Sequence, residues 1–227
     1  MISLTKEISR TIQREGNKVH LSQPKLIGQI LDDMNFTKDT KPVDYPALIS
    51  EVLLANKDET QHKATWSYRS IIGKLNFLEK STRPELAFAV HQAARFSADP
   101  RESHTEAVKR ICRYLQGTQD KGIIMSPNDL SFQVFVDADF AGLWDRATAQ
   151  DDPSTARSRS GFVIMFAGCP IIWMSKLQTE IALSTTEAEY IALSESLRHV
   201  IPVMNLCEEC VESGFLQDVI PPTIRCR

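Results

Sequence analysis

The carboxyl-terminal half of this chain has several strand-like segments followed by one long helical segment, and this order restricts its possible folds. Residues 132–140, FQVFVDADF, alternate apolar and other side chains, as expected of a half-buried strand. Three more strands are predicted in SGFVIMFAG, CPIIWMSKL and TEIALS, with Gly168-Cys169-Pro170 as the turn between the first two, before a long helix that begins at Ser184. Strands that follow one another along a chain pair as an antiparallel meander, which a helix can cover. The sequence therefore predicts an α+β fold.

The amino-terminal half is predicted to be mainly helical. A hairpin is expected around Gly16-Asn17, followed by a helix that starts at Pro24 with Ser22 as its cap. A long polar loop is expected over residues 37–65. Three amphipathic helices are then predicted in the segments 66–81, 83–97 and 103–117. The linker-like SPNDLS, residues 126–131, places a domain boundary that divides the chain into 1–126 and 127–227.

The composition favours a globular protein in a reducing compartment. The 227 residues suffice for one large domain or two modest ones, and 42% of them are hydrophobic. A net charge of −3 argues mildly against a free-standing nucleic-acid binder. Five cysteines without a secretory signal favour free thiols and an intracellular location, cytoplasmic or nuclear. Cys207 and Cys210 are interpreted as two small side chains one helical turn apart, and no apolar stretch suits a membrane span.

Two carboxylates stand out in the second half. Ser184-Thr185-Thr186-Glu187 reads as a capping box, which gives Glu187 a structural role and leaves Glu189 without one. Asp137 lies near the end of the strand in VDADF. A half-buried carboxylate needs a partner, and Mg²⁺ prefers oxygen ligands. These residues alone leave open whether Asp137 and Glu189 share a metal site or are two surface acids.

Several motifs in one order resemble the Pol polyprotein of copia-type LTR retrotransposons. The matching stretches are YRSIIGKLNFLEKSTRPELAFAVHQAARFSADPRESHTEAVKRICRYLQGTQDKG, VDADFAG and SRSGFVIMFAGCPIIWMSKLQTEIALSTTEAEYIALSES. The resemblance implies that residues 1–126 form the thumb and connection segment at the end of the reverse transcriptase. It implies that residues 127–227 form a truncated ribonuclease H-like domain, with an incomplete mixed sheet and a long helix. Such a domain cleaves the RNA of RNA–DNA hybrids with two Mg²⁺ ions.

The resemblance also assigns site residues. Asp137 matches the first-strand aspartate and Glu189 the helix glutamate, so both are expected to be catalytic and to bind metal. Ser184, Thr185 and Thr186 fall where the family's polar turn meets the hybrid, at the 2′-hydroxyl that distinguishes RNA. The candidate phosphate contacts are Arg157, Arg159 and Lys176. The implied partners are an RNA–DNA hybrid and the remainder of the polyprotein, with no membrane.

The departure from the family pattern lies at Arg227. In the family an I-x-C strand is followed by Asp-Asn, whose aspartate is the third metal ligand, whereas here Ile224-Arg225-Cys226 is followed by Arg227. The last acid of the family is absent from the 227 residues too. We therefore expect this chain alone to be inactive as a ribonuclease H. Two alternatives remain, a non-catalytic nucleic-acid-binding relic and a protein-interaction relic of a retroelement.

Overall fold

The structure is a computed structural model that describes residues 10–48, 53–144, 146–147, 149–150, 152–216 and 220–226. The chain forms two compact units that divide between Ile124 and Met125, with the turn Gly16–Lys18 grouped with the second unit. Helices and two sheets make up the described residues, which confirms the predicted α+β class. Arg227, on which one sequence expectation rests, lies outside them.

The described residues of the first unit form four α-helices and a small sheet. The strands pair in the order β1-β2-β3. The predicted hairpin is confirmed, with Gly16 at φ 58° in its turn. The bounds are β1 Thr11–Glu15, β2 Lys18–Ser22, α1 Pro24–Asp33, α2 Tyr68–Thr82, α3 Ala87–Ala94, α4 Glu102–Gln116 and β3 Gly122–Met125.

The start of α1 differs from the sequence prediction. Ser22 was expected to cap this helix, but it is the last residue of β2 and its side chain is buried. Gln23 occupies the cap position without a side-chain cap hydrogen bond. Pro24 at the first helical position suits the start, because a proline there gives up no intrahelical hydrogen bond. The predicted cap was wrong because strand pairing holds Ser22.

Buried polar groups tie the first unit together around Arg83. Arg83 directly follows α2, and its side chain is 1% exposed. The guanidinium donates to the Thr118 carbonyl oxygen at 2.9 Å and to the Thr118 hydroxyl at 2.7 Å. Its Nε donates to Glu85 at 2.6 Å. This arginine therefore links the end of α2 to the turn after α4.

His104 is a second internal polar link, within the first turn of α4. It is fully buried, and its Nδ1 accepts the backbone amide of Arg101 at 2.9 Å. Its Nε2 therefore carries the hydrogen and donates to the Leu54 carbonyl oxygen at 2.6 Å. The Phe96 ring stacks on the imidazole at 3.8 Å, and burial lowers the pKa of His104. His104 therefore has a packing and capping role at the start of α4.

The described residues of the second unit form a four-stranded mixed sheet with one long helix. The strand order is β6-β5-β4-β7; β5 is antiparallel to both β4 and β6, and β7 is parallel to β4. The predicted mixed sheet and long helix are both present. The bounds are β4 Ser131–Asp139, β5 Arg159–Phe166, β6 Cys169–Leu177, α5 Thr185–Glu212 and β7 Ile220–Cys226.

Two local predictions for this unit were wrong. The turn between β5 and β6 is made by Ala167 and Gly168, at φ 50° and 75°, while Cys169 and Pro170 already belong to β6. Two consecutive positive φ angles match the twist of a two-residue hairpin. Residues 179–184, TEIALS, form no strand. Ile181 and Leu183 are exposed there, so the apolar side chains that suggested a strand do not pack against a sheet.

The core of the second unit lies between α5 and one face of the sheet. Ala192, Val200 and Cys207 on the helix pack with β-strand side chains, among them Val134 and Val136. Burial, followed by the neighbouring Cys210, raises the pKa of the Cys207 thiol. Cys207 therefore serves as a small core side chain, as interpreted from the sequence.

The topology fixes the direction of α5. Strand β6 runs parallel to β4, and α5 connects β6 to β7, which is also parallel to β4. The helix must therefore run back along the sheet and start at the edge where β4 ends. Within the described part of the chain, no helix combines the length and apolar character needed to cross a bilayer.

Candidate functional site at the end of the sheet

Asp137 lies near the carboxyl end of β4 on the open face of the sheet. Val134 and Val136 face α5, so the strand alternation directs Asp137 and Phe135 away from the helix. Directly across on β5 is Gly161, which has no side chain to cover the carboxylate. Asp137 and Arg225 line a cavity of about 400 Å³ on this part of the sheet. The carboxylate is therefore accessible to a ligand.

The second aspartate of the motif, Asp139, has a close neighbour of its own. A Cβ added to Gly142 would lie 2.1 Å from the Asp139 Oδ1 atom, so a larger residue at position 142 would displace this carboxylate. Ala141, between them, adopts the left-handed region at φ 46°. Asp139 therefore packs on the turn that follows β4.

Glu187 closes the predicted capping box at the start of α5. The Ser184 hydroxyl accepts the Glu187 amide at 3.1 Å. The Glu187 carboxylate accepts the backbone amide of Leu183 at 2.7 Å, one residue before the cap. Two amide donors at the helix start are thereby satisfied. Glu187 has the structural role that the sequence assigned to it.

Glu189 differs from Glu187 because one of its oxygens is buried without a partner. Its Oε2 atom accepts no hydrogen bond from any described residue. The neighbouring Ala188 and Ala192 are fully buried against the sheet. Buried carboxylate oxygens are normally hydrogen-bonded or bound to a cation, so an unsatisfied one needs an explanation. The Oε1 atom of Gln178, at the same end of the sheet, is likewise buried without a partner among the described residues.

Gln178 holds the first turn of α5 in place beside Glu189. This buried side chain donates to the Ala188 carbonyl oxygen at 2.9 Å and to the Ser160 hydroxyl at 3.1 Å. It thus joins the end of β6, the start of β5 and the helix. The sequence analysis missed Gln178, because a polar residue after a strand gives no signal that it turns inward.

Asp137 and Glu189 are brought to the same end of the sheet but not into recorded contact. Strand alternation places Asp137 on the open face, whereas α5 covers the other face. Among the described residues, no group of three or more His, Cys, Asp or Glu side chains is arranged to hold a metal ion. A metal shared by these two acids therefore stays a prediction.

Three of the predicted substrate-binding residues line one cleft. Lys176, Ser184 and Thr186 border a cleft of about 670 Å³ between the end of β6 and α5. Thr185, the first residue of α5, is exposed beside it. Tyr190 and Arg198, which the sequence analysis missed, line the same cleft. Helical spacing was the available signal, since positions 186, 190, 194 and 198 are four residues apart and share one helix face.

The two predicted arginines lie apart from this cleft. Arg157 is exposed after a short 3₁₀ turn, Pro153–Ala156, where it is free to meet a phosphate. Arg159 is only 7% exposed and donates to the Ser175 hydroxyl at 3.3 Å. A phosphate contact for Arg159 remains a prediction that its burial does not support.

Comparison with known proteins gives similar sequences but no matching family profile and no matching solved structure. The chain is 36% identical over 203 residues to a retrovirus-related Pol polyprotein from transposon TNT 1-94 of Nicotiana tabacum, covering 87% of the chain and 14% of the relative. It is 34% identical over 215 residues to the corresponding protein from transposon RE1 of Arabidopsis thaliana, covering 94% and 14%. It is also 38% identical over 135 residues to the secreted RxLR effector protein 161 of Plasmopara viticola, covering 59% and 89%. The chain thus spans about one seventh of the length of the two polyproteins.

Proposed function

Because the chain belongs to the family of retrotransposon Pol polyproteins, we propose that its second unit is a ribonuclease H-like domain. Within the polyprotein, this domain cleaves the RNA strand of RNA–DNA hybrids. The first unit is the thumb and connection segment of the reverse transcriptase. The family relation supports this proposal, and so does a mixed sheet whose long helix starts where the first strand ends.

The observation that carries the proposal is the buried, unpartnered Oε2 of Glu189. An unsatisfied carboxylate oxygen lowers stability, and positions that lower stability in this way are typical of functional sites. A divalent cation at this oxygen would supply the missing partner. The Asp137 carboxylate at the same end of the sheet is the second oxygen donor of the kind that Mg²⁺ prefers.

The residues fit magnesium in chemical type, and Asp137 and Glu189 are the ones that would hold it. Bound Mg²⁺ would activate water and neutralise the leaving oxygen of a phosphodiester. The chain's own groups position the substrate: Ser184, Thr185 and Thr186 offer hydroxyls to the RNA 2′-hydroxyl. Exposed Lys176 and Arg157 neutralise phosphates of the hybrid.

A cleavage assay with matched variants tests the proposal. We expect a polypeptide of these 227 residues to show no Mg²⁺-dependent cleavage of a hybrid, because Asp137 and Glu189 bring two carboxylates to two dications. A polypeptide continued with the following segment of the TNT 1-94 relative should cleave it. The substitutions Asp137→Asn and Glu189→Gln should each lower that rate by about a thousandfold. This corresponds to a loss of about 4 kcal/mol of transition-state stabilisation, since about 1.4 kcal/mol changes a rate tenfold.

The controls change acids of the same kind on the same two elements. Asp139→Asn and Glu208→Gln remove one carboxylate each from β4 and α5, and both should leave the rate within about threefold. Equal losses in control and test variants would contradict the assignment of Asp137 and Glu189. Cleavage by the 227 residues alone, abolished by Asp137→Asn, would contradict the expected inactivity of this chain.

One observation favours a second candidate, a non-catalytic binding domain of retroelement origin. The effector protein of Plasmopara viticola matches this chain over 89% of its own length, so related sequence occurs in a protein far shorter than a polyprotein. Under this proposal the domain holds a nucleic acid or a protein without cleaving it. Hybrid binding that persists in the Asp137→Asn variant, with no cleavage by the extended polypeptide, would favour it.

A further inference from the structure

The first unit contains a positively charged cleft that the proposed ribonuclease H site does not use. The cleft has a volume of about 620 Å³ and lies along α4. Lys109, Arg110 and Arg113 line it together with one carboxylate, Glu106, so its charged lining carries a net charge of +2. This contrasts with the whole chain, whose net charge is −3.

Arg110 is the unusual member of this lining. Its side chain is half-buried, and its Nε atom is buried without a hydrogen-bond acceptor among the described residues. It also borders a smaller adjoining cavity, where the Nε2 of Gln92 is likewise buried and unpartnered. A guanidinium is a permanent cation with five donors, so withholding an acceptor from it in a buried position is unfavourable. Arg110 therefore lacks an acceptor that an anion bound in the cleft would supply, whereas Gln92 lines only the smaller cavity.

The other cations leave donors available for the same anion. Arg113 uses its Nε on the Lys41 carbonyl oxygen at 2.8 Å, which leaves its terminal nitrogens. Lys109 pairs with Glu106 at 2.6 Å, and this pairing neutralises the one carboxylate of the lining. Among the described residues, Arg110 and Arg113 are thus the two charges of the lining without a carboxylate partner, on one face of the helix one turn apart.

Hydroxyl and amide groups complete the lining on the side of the α4 start. The Ser103 hydroxyl accepts one hydrogen of the Asn56 side-chain amide at 2.9 Å and is itself hydrogen-bonded to the Glu59 carboxylate, so the second hydrogen of the Asn56 amide is the donor that remains. Ser103 and Asn56 both line the cleft. An anion with several oxygens can accept from such donors in different directions, and a guanidinium binds phosphate through two parallel hydrogen bonds.

We infer that this cleft binds a phosphate group, held mainly by Arg110 and Arg113. A single carboxylate offers two oxygens, fewer than the donors gathered here, whereas a phosphate offers more oxygens and, when terminal, more charge. The phosphate comes either from a nucleic-acid backbone or from a free polyphosphate. The inference is independent of the ribonuclease H proposal, which concerns the second unit.

Binding measurements on the full 227-residue chain without Mg²⁺ test this site. The probes are a fluorescent 12-nucleotide single strand, measured by anisotropy, and tripolyphosphate, measured by calorimetry. Arg110→Gln should weaken binding by about tenfold or more, because a charge-assisted hydrogen bond is lost. For the oligonucleotide, the slope of log affinity against log salt should fall by about one. Arg110→Lys, which keeps the charge but loses the planar fork, should give an intermediate affinity.

The matched control is Lys25→Gln, which removes one exposed positive charge from α1 in the same unit. Loss of both probes in Arg110→Gln supports a general phosphate site, and loss of the oligonucleotide alone supports a backbone phosphodiester site. The inference is overturned if neither probe binds, or if Arg110→Gln and Lys25→Gln bind alike. It is also overturned if polyglutamate binds with the same dependence on Arg110, since the site would then accept carboxylates. Thermal unfolding of each variant verifies that it is folded.

Discussion

Two buried polar regions of this chain use their polar atoms in different ways. In the first unit, all three guanidinium nitrogens of Arg83 and both ring nitrogens of His104 are hydrogen-bonded to other groups of the protein. At the end of the second unit's sheet, Glu189 keeps a buried oxygen without a partner. The first arrangement stabilises a fold, and the second lowers stability at a place where a ligand could restore it.

The largest expected effect breaks the first arrangement. Arg83→Met should lower the free energy of unfolding of the first unit by about 3 kcal/mol, because the Thr118 carbonyl and hydroxyl lose buried partners. Urea unfolding followed by Trp66 fluorescence, with Trp144 and Trp173 changed to Phe, measures it. Lys25→Met is the control, with an expected change within about 0.5 kcal/mol. Equal values for the two variants would remove the distinction between the regions.

The second expectation concerns pH and the His104 ring. Burial lowers the pKa of His104 in the folded chain, so the unfolded chain binds the extra proton first as pH falls. The first unit should therefore be stable above about pH 6.5 and lose stability below it, by at most about 1.4 kcal/mol per pH unit.

Urea unfolding at intervals between pH 7.5 and 5.0 measures this dependence, and His104→Gln should flatten it. The pKa of Glu59 is also lowered, mainly by its hydrogen bonds to Ser103. This carboxylate therefore also makes the first unit less stable as pH falls. Its contribution is present above its ordinary pKa, about 4.5, and is lost only as pH falls below that value. A dependence that survives in His104→Gln would show that another group carries it.

The third expectation has the opposite sign and applies to the second unit. Glu189→Gln should raise the free energy of unfolding by about 1 kcal/mol, because it removes a charge whose buried oxygen has no partner. Trp173 fluorescence, with Trp66 and Trp144 changed to Phe, follows the unfolding. Glu195→Gln on the same helix should change it by less than about 0.5 kcal/mol. A clear loss of stability in Glu189→Gln would indicate that this carboxylate already has a structural partner.

The smallest expectation compares two helix caps. Ser184→Ala in the second unit should lower stability by about 1 kcal/mol, because the capping box with Glu187 is lost. Ser67→Ala at the start of α2 should cost about half as much, since its hydroxyl accepts the Ser70 amide at 3.4 Å without a reciprocal bond. Thermal unfolding of both variants measures the difference, and the reverse order would contradict it.

Sequence reasoning succeeded where the determining interactions are local. The alternation of β4 and the cap at Ser184 each depend on residues within a few positions, and both appear in the structure. The strand β3 was missed because GIIM is only four residues long, shows no alternation and pairs with β2, about one hundred positions earlier. Residues 179–184 show the opposite error: a strand was predicted there, but the segment pairs with no neighbouring strand.

The candidate site shows the same limit. Placing Asp137 and Glu189 at one end of the sheet follows from the order of the elements, which the sequence indicates. The unsatisfied oxygen of Glu189 depends on how Gln178 and the helix pack together, and the burial of Arg159 depends on its neighbours across the sheet. Such packing arises from residues far apart in sequence, so a linear pattern carries little information about it.

The parallel pairing of β4 with β7 has a consequence for the order of folding. Val136 and Cys226 lie side by side but are 90 positions apart, whereas β4, β5 and β6 are joined by the intervening chain in sequence order. Closing the longer loop is entropically more demanding, so the three-stranded meander should form first and β7 should join last. In pulse-labelling hydrogen exchange during refolding, β7 amides should gain protection after those of β5. Because α5 precedes β7 along the chain, we expect the helix to dock first, which places Glu189 before β7 completes the sheet beside Asp137.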